Sequence, residues 1–279
     1  MREFPFVKMS GSGNDFIFVD HRDLQWEGCD LAQLARLLCR RRVSVGADGL
    51  VLIVPPKDPA HDFAWRFFNA DGSEAEMCGN AARCAARFAN LKGLVSSTQM
   101  RFETLSGVIE ATVVGEGVRV RMGDPTGVRP QVNLILPEGE LELVCINTGV
   151  PHAVNFVQDL EGVEVVELGR FIRHHQAFAP AGTNVDFVQA IDSSTIKMRT
   201  YERGVEDETL ACGTGAVASA LAAHLTGKAK PPVEVITRSG GRLKVDFLAK
   251  GEGHYTQVFL EGDARVIYEG SVKKDAFLV

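Results

Sequence analysis

The sequence has no long apolar run, no basic block beyond three arginines and no C-x-x-C motif, and each absence excludes a class of protein. Membrane helices need about 18 consecutive apolar residues, and no run here reaches that length. The net charge is −6, which disfavours nucleic-acid binding. Zinc ribbons and thioredoxin-type redox motifs have no support. Residues 1–9 also lack the apolar stretch of a signal peptide, so we expect a soluble, cytoplasmic protein.

The cysteine count is modest, with six thiols in 279 residues, of which 45% are apolar. This length favours one large or two medium domains. The even count would allow three disulfides, but a chain of this size with no export signal favours reduced thiols. A lone cysteine is usually inert core. We expect this of four of the six: Cys29, Cys39, Cys84 and Cys145.

Strand and helix patterns alternate along the chain. Apolar positions Leu31, Leu34, Ala35 and Leu38 predict a helix, with Asp30 as its N-cap. Residues 124–130, rich in proline and glycine, are typical of a linker. Apolar segments predict strands over 16–20, 49–54, 65–68, 141–146, 152–157, 184–191 and 196–201.

An internal repeat is the most informative feature of the sequence. Cys78-Gly79 opens one alanine-rich helix and Cys212-Gly213 opens another. A glycine follows each cysteine after 15 residues, where the residue just beyond a helix belongs. Two copies are too few for a solenoid. The repeat predicts two similar α/β lobes related by a pseudo-two-fold axis, each presenting a cysteine at a helix N-terminus.

A cysteine at a helix N-terminus lies beside unpaired N–H groups and the positive end of the helix dipole. Its pKa can fall from about 8.5 toward neutrality, and the N–H groups can also bind a carboxylate. Inverting a carbon centre requires removal of a proton from one face and delivery to the other. Cys78 and Cys212 therefore suit an acid–base pair whose roles exchange with reaction direction.

Eight segments resemble the diaminopimelate epimerase family, in family order across nearly the whole chain. They are Lys8-Met-Ser-Gly-Ser-Gly-Asn-Asp-Phe16, Gly46-Ala-Asp-Gly49, Phe68-Asn-Ala-Asp-Gly-Ser-Glu74, Met77-Cys-Gly-Asn-Ala-Ala-Arg83, Thr148-Gly-Val-Pro-His152, Gly182-Thr-Asn184, Tyr201-Glu-Arg-Gly204 and Ala211-Cys-Gly-Thr-Gly215. Together these motifs are highly specific.

The resemblance implies interconversion of LL- and meso-diaminopimelate in lysine and cell-wall precursor synthesis, without metal or pyridoxal phosphate, by a homodimer. It implies an α/β (α+β) fold of two lobes, each a strongly curved, mostly antiparallel sheet around a central helix. We predict an N-terminal lobe over 1–123, joined by 270–279, and a C-terminal lobe over 124–269.

The resemblance also implies a role for each matching residue. Cys78 and Cys212 would be the acid–base pair, with His152 and Glu202 beside the thiols. Substrate would be held by Asn14, Asn69, Gly79, Asn80, Asn184, Glu202, Arg203, Gly213 and Thr214. Arginine suits a carboxylate because it forms a bidentate pair. Many family members carry Gln where Gly49 stands and Asn where Val150 stands, and both positions border the family's substrate pocket.

Other interpretations remain open at this point. Asn14 and Asn69 could be turn residues, and Arg203 could pair with Glu202 or Glu206. His152 could be a core histidine. The chain could act on another amino acid, as proline and hydroxyproline enzymes of the same superfamily do, although those usually read Cys-Gly-His at the first site. A thiol redox protein or an amino-acid binding module would be a different class.

Overall fold

The computed structural model describes residues 3–24, 26, 28–136 and 139–277. Contacts divide the chain into two compact units. The first runs up to Val120 and includes the segment from Gly262 onward, and the second runs from Arg121 to Glu261. The domain division near residue 124 stays a prediction. Among the described residues, no helix has the length and apolar character that a membrane span requires.

The first unit begins with seven strands and two helices in the described part of the chain. They are β1 Phe4–Gly11, β2 Asn14–Asp20, α1 Leu31–Leu38, β3 Gly49–Val54, β4 Phe63–Asn69, α2 Gly79–Leu91, β5 Gln99–Thr104, β6 Gly107–Val114 and β7 Gly117–Arg121.

The second unit contains nine strands, two α-helices and a short 3-10 helix among its described residues. They are β8 Thr126–Leu136, β9 Gly139–Asn147, β10 Pro151–Phe156, α3 Val165–His174, a 3-10 helix at Gln176–Phe178, β11 Asn184–Ala190, β12 Thr195–Glu202, β13 Asp207–Thr209, α4 Gly213–Leu225, β14 Val233–Ile236, β15 Arg242–Gly251 and β16 His254–Asp263. The chain then returns to the first unit with β17 Arg265–Val272 and a 3-10 helix at Lys274–Phe277.

The two units have the same strand topology. In the first, the order is β17-β1-β2-β3-β4-β5-β6-β7, with parallel pairs only at β2–β3 and β4–β5. In the second, the order is β8-β9-β10-β11-β12-β14-β15-β16, with parallel pairs only at β10–β11 and β12–β14. Both orders are those of the described strands. Each parallel pair is joined through one helix, because parallel neighbours need a long crossover. The repeat seen in the sequence is therefore a repeat of topology.

A central helix lies inside each sheet. α2 packs on β1, β2, β3 and β6, and α4 packs on β9 to β12, β14 and β15. Most side chains of both helices are buried, including the alanines of α4 from Ala216 to Ala223. A helix that is apolar on all sides has to be enclosed, and small side chains let strands approach it. The expected α+β fold, a mostly antiparallel sheet around a central helix in each lobe, is confirmed.

A second helix covers the other face of each sheet. α1 begins after Asp30, whose carboxylate accepts the Gln33 backbone N–H over 2.9 Å, as predicted for an N-cap. Its buried side chains pack with Trp26 and with strand residues such as Leu50. α3 closes the matching cluster of the second unit, which includes Phe187 and Tyr201. The predicted strands are confirmed with ends shifted by a few residues.

The linker predicted over residues 124–130 is wrong, because β8 already begins at Thr126. Gly127 has φ +60°, and the register with β9 shifts between Thr126 and Arg129 and again between Arg129 and Val132. Glycine and proline inside a strand mark bulges. The residues that indicated a linker therefore bend a strand instead.

Candidate active site

Cys78 and Cys212 occupy equivalent backbone positions. Each is the N-cap of a 13-residue helix and has extended backbone angles, φ −145° and ψ 121° for Cys78 and φ −126° and ψ 114° for Cys212. In each case the cysteine carbonyl accepts the first helical N–H over 2.9 Å. Gly93 and Gly227 follow the two helices with φ +65° and +68°, which is the left-handed conformation that glycine permits. Both helices are confirmed as predicted.

The first unit places Asn14 directly against the Cys78 helix. Asn80 donates from Nδ2 to Asn14 Oδ1 over 2.7 Å, and Asn14 donates from its own Nδ2 to Asp48 Oδ2 over 3.0 Å. Asp48 Oδ2 also accepts the backbone N–H of Asp15 over 3.2 Å. Asn14 thus lies at the start of β2 with both ends of its amide engaged, and not as a simple turn residue.

Two cations hold Asp15 and Asp48 in place. Arg41 contacts Asp15 Oδ1 over 2.6 Å and Asp48 Oδ1 over 2.8 Å, and the buried Lys8 contacts Asp15 over 2.9 Å. Burial opposes ionisation of Asp15, but the hydrogen bonds from Arg41 and Lys8 outweigh it, so the pKa of Asp15 lies below its ordinary value. The carboxylates around Asn14 are therefore fixed acceptors.

Arg83 is a fully buried cation under the first turn of α2, with 0% of its surface exposed. Its guanidinium donates to Asn80 Oδ1 over 2.8 Å, to Ser12 Oγ over 2.7 Å and to the Asp263 carbonyl over 3.3 Å. Burial lowers the pKa of Arg83, as expected when a charged group loses its water. A buried arginine needs such partners, and here they tie the helix to the Ser12 loop.

Asn69, Gly79 and Gly49 differ in what surrounds them. The exposed Asn69 donates to Ser73 Oγ over 3.0 Å within its own turn, and is not joined to the Asn14–Asn80 pair.

A Cβ on Gly79 would meet nothing within 4 Å, so the start of α2 is open beside that residue. A Cβ on Gly49 would lie 2.5 Å from the Phe67 ring and 2.8 Å from the Phe68 carbonyl. A larger residue at position 49 would therefore require the neighbouring strand to shift.

A hydrogen-bonded chain leads to Cys212 in the second unit. Asp186 Oδ2 lies 2.7 Å from His152 Nδ1, and His152 Nε2 lies 3.0 Å from Thr214 Oγ1. Thr214 Oγ1 lies 3.4 Å from Cys212 Sγ. Thr200 donates to the other carboxylate oxygen of Asp186 over 2.7 Å. His152, Asp186 and Thr200 are all buried, and Thr214 is half-buried.

Burial raises the pKa of the Cys212 thiol, and the carboxylates of Glu202 and Asp186 raise it further. The hydrogen bond with Thr214 acts in the opposite direction without cancelling them. The helix N-terminus predicts a lowered pKa, but for Cys212 the pKa is raised instead, because burial disfavours the thiolate.

Glu202 and Arg203 follow one another at the end of β12. Glu202 is half-buried, and this burial raises the pKa of its carboxyl. The Arg203 backbone N–H donates to Asn184 Oδ1 over 2.8 Å, and its guanidinium donates to the Ala181 carbonyl over 3.2 Å. Glu206, the alternative partner for Arg203, forms an ion pair with Arg173. The Arg203 guanidinium therefore contacts a backbone carbonyl instead.

Three of the remaining cysteines are core residues. Burial raises the pKa of Cys39 to about 12, of Cys84 to about 12 and of Cys145 to about 11. These thiols stay protonated at neutral pH, as expected of inert cysteines. Cys29 is exposed, and its predicted core position is wrong because it lies in the turn that precedes α1.

The structure joins half of the predicted site residues into two side-chain groups, one in each unit. Asn14 and Asn80 form one group, and His152, Asn184, Thr214 and Cys212 form another. Sequence reasoning missed three charged residues that hold these groups: Asp48, Arg83 and Asp186. Asp186 had a signal, since it follows Asn184 by two residues and side chains at that spacing share one face of a strand.

The family pattern and the similar proteins that match this chain both point to the diaminopimelate epimerase family. The sequence pattern of diaminopimelate epimerases matches residues 6–128 and 144–267. The diaminopimelate epimerase of Aquifex aeolicus (strain VF5) is 48% identical over 278 residues, covering 97% of this chain and 98% of that protein. That of Hydrogenobaculum sp. (strain Y04AAS1) is 42% identical over 281 residues, covering 97% and 99%.

Solved structures share the fold at low sequence identity. A Bacillus anthracis phenazine biosynthesis protein of the PhzF family aligns with a TM-score of 0.75 at 16% identity, over 98% of this chain and 100% of that one. A hydroxyproline epimerase from Agrobacterium vitis aligns with a TM-score of 0.67 at 17% identity, over 98% and 93%. At such identities the likeness concerns the fold alone.

Proposed function

Because the chain belongs to the diaminopimelate epimerase family, we propose that it interconverts LL- and meso-diaminopimelate, with Cys78 and Cys212 as its acid–base pair. One observation carries the proposal: both helix-capping cysteines occur in a chain that matches diaminopimelate epimerases along nearly its full length. The role of each side chain below is part of the same proposal.

Epimerisation at an α-carbon needs one group to remove a proton and another to return one on the opposite face. A thiolate serves as the base and a thiol as the acid, and the roles reverse with direction. The resting state of Cys212 fits the acid, since burial raises its pKa. In the direction that uses Cys212 as base, its proton must first leave.

The α-proton of an amino acid is weakly acidic, so the developing negative charge has to be stabilised. Each helix offers backbone N–H groups after its cysteine, at Gly79 and Asn80 in α2 and at Gly213 and Thr214 in α4. Such groups bind a carboxylate and follow the charge that spreads into it. Neither a metal nor pyridoxal phosphate has a step in this scheme.

The distal end of the substrate carries a second amino group and carboxylate. Arg203 is suited to the carboxylate, because a guanidinium forms bidentate pairs. Asn14, Asn69 and Asn184 both donate and accept, as a zwitterion requires. Glu202 and His152 are assigned to the neighbourhood of the thiols, where they assist proton transfer.

The test is proton exchange in D2O. Reduced protein, with chelator and without pyridoxal phosphate, is mixed with LL-diaminopimelate, and the α-carbon is followed by mass spectrometry and chiral chromatography. We expect deuterium incorporation with formation of the meso isomer, and loss of both in Cys78→Ser and Cys212→Ser.

Matched controls are available in both units. Cys84→Ala changes a buried thiol on the same helix as Cys78, and Cys145→Ala changes a buried thiol in the second unit. Both should retain turnover. Turnover that survives either serine variant would refute the two-thiol mechanism. Deuterium exchange into proline, with none into diaminopimelate, would refute diaminopimelate as the substrate.

We further propose that the enzyme is a cytoplasmic homodimer, as the family resemblance implies. Light scattering coupled to size-exclusion chromatography measures the mass directly, and a 30.3 kDa species would contradict the dimer. Fractionation of cells with an antibody to the protein tests its location, and recovery outside the cytoplasm would contradict it.

A further inference from the structure

The protonation of His152 is determined by groups on both sides of its ring. Asn184 has a fixed amide orientation, because its Oδ1 accepts the Arg203 backbone N–H over 2.8 Å and its Nδ2 donates to the Pro151 carbonyl over 3.2 Å. That same Nδ2 faces His152 Nε2 at 3.5 Å. An amide N–H is only a donor, so Nε2 presents a lone pair on this side.

The other ring nitrogen faces a carboxylate. Asp186 Oδ2 lies 2.7 Å from Nδ1, and a carboxylate only accepts. These contacts suit a His152 ring that carries a proton on Nδ1 and a lone pair on Nε2. The Thr214 hydroxyl, 3.0 Å from Nε2, then donates to the ring, and its oxygen is left to accept the Cys212 S–H at 3.4 Å.

Asp186 is itself held rigidly. Its side chain is 0% exposed, and its second oxygen accepts the Thr200 hydroxyl over 2.7 Å. α4 approaches so closely that a Cβ on Gly215 would lie 2.6 Å from Asp186 Oδ1. Gly215 is the third residue of the helix, so the carboxylate lies at the positive end of the helix dipole.

We propose that Asp186 is a positioning residue for the acid–base step, holding the His152 proton on Nδ1 so that Nε2 exchanges a proton with Cys212 through the Thr214 hydroxyl. The use of this proton transfer in catalysis rests on the proposed epimerase function. When Cys212 must become a base, its proton passes from Sγ to Thr214 Oγ1 while the Thr214 proton passes to Nε2. A thiolate and an imidazolium result, and Asp186 stabilises the imidazolium.

Replacing the Asp186 carboxylate by an amide changes which ring nitrogen of His152 carries the proton. Asp186→Asn is nearly isosteric, and an amide that keeps its oxygen on the Thr200 hydroxyl turns its NH2 toward Nδ1. In that orientation the NH2 requires the ring proton to be on Nε2. Thr214 can no longer donate to the ring, so the path from Cys212 to the imidazole is blocked.

The experiment combines histidine NMR with kinetics. The ring nitrogens are labelled with 15N, the His152 signals are assigned by their loss in His152→Gln, and wild type is compared with Asp186→Asn and Thr200→Val. We expect the Nδ1–H tautomer in wild type and in Thr200→Val, and the Nε2–H tautomer in Asp186→Asn. In Asp186→Asn, kcat should fall about 10²-fold or more while KM changes little.

The outcomes separate cleanly. An Nε2–H tautomer in wild type overturns the inference without any variant, so a poorly folded Asp186→Asn leaves it testable. A kcat in Asp186→Asn equal to that of wild type would overturn the positioning role of Asp186. If wild type shows the Nδ1–H tautomer but no exchange with diaminopimelate in D2O, the proposed function fails while the assignment of Asp186 to the His152 ring stands.

Discussion

Asn14 donates from Nδ2 to Asp48 Oδ2 over 3.0 Å, and this contact is the last link of a polar chain with a cation at its other end. Arg83 can only donate, so Asn80 turns its oxygen toward it and its NH2 toward Asn14. Asn14 in turn directs its own NH2 to Asp48. The charged ends therefore orient two amides that the family resemblance places at the substrate.

Asp48→Asn tests this orientation. An amide at position 48 has a single oxygen, which cannot accept from both Arg41 and Asn14, so the charged acceptor of the Asn14 NH2 is lost. We expect KM to rise about tenfold with a smaller change in kcat, because a uniform binding contact is lost. Steady-state kinetics gives both constants. Asp58→Asn, on an exposed loop, is the control, and equal KM values for the two variants would contradict the role of Asp48.

Arg83→Lys tests the cation at the other end. One ammonium cannot contact Ser12, Asn80 and the Asp263 carbonyl together, so buried acceptors are left unpaired. We expect a loss of about 3 kcal/mol in the free energy of unfolding, measured by denaturant titration. Arg87→Lys is the matched control one turn further along α2, where a single carbonyl, that of Ala264, accepts. An equally large loss of unfolding free energy in Arg87→Lys would show that the contacts of Arg83 contribute no more to stability than the single contact of Arg87.

Gly215→Ala tests the close approach of α4 to Asp186. The added Cβ would lie 2.6 Å from Asp186 Oδ1 and 3.2 Å from Met198 Cε, so the carboxylate or the helix must move. We expect a destabilisation of about 1–3 kcal/mol, in the range of overpacked cores, together with a fall in kcat. Thermal unfolding measures the first. Gly79→Ala, at the open start of α2, is the control for stability and should cost little.

Glu202→Gln should change stability and activity in opposite directions. Burial raises the pKa of Glu202 above the ordinary 4.5, so the native state binds its proton more tightly than the unfolded chain does. Below pH 4.5 both states are protonated, and as the pH rises above it wild type loses stability. The variant stays neutral and should therefore be more stable than wild type at pH 7.

The stability difference should vanish as the pH falls below 4.5, which thermal unfolding across the pH range will show. Activity should fall by about 10²-fold if the carboxylate takes part in proton transfer. A variant less stable than wild type at pH 7 would mean that the Glu202 carboxylate has found compensating contacts in the native state.

The fold was readable from the sequence where local signals agreed with tertiary structure. The Leu31–Leu38 helix with its Asp30 cap, and the two cysteine-capped helices with their terminal glycines, needed only periodicity and capping rules. The glycine and prolines of segment 124–130 predict a linker wrongly, because these residues occur in β-bulges as well as in loops. Strand pairing order depends on contacts far apart in sequence, which no local pattern specifies.

The polar framework of the site was harder to predict than its cysteines. Asp48 follows Asn14 by 34 positions and Asp186 follows His152 by the same interval, so their partners are set by strand register. Arg83 looks like an ordinary helix residue until the fold encloses it. The raised pKa of Cys212 depends on burial and on two carboxylates, and sequence alone gives only the helix end.

The two capped helices repeat one backbone, yet they lie against charges of opposite sign. α2 carries the Arg83 guanidinium and α4 abuts the Asp186 carboxylate, and both groups are fully buried. A chain assembled from two copies of either half would repeat the topology but carry the same buried charge twice. The two halves are therefore alike in backbone and not interchangeable in their interiors.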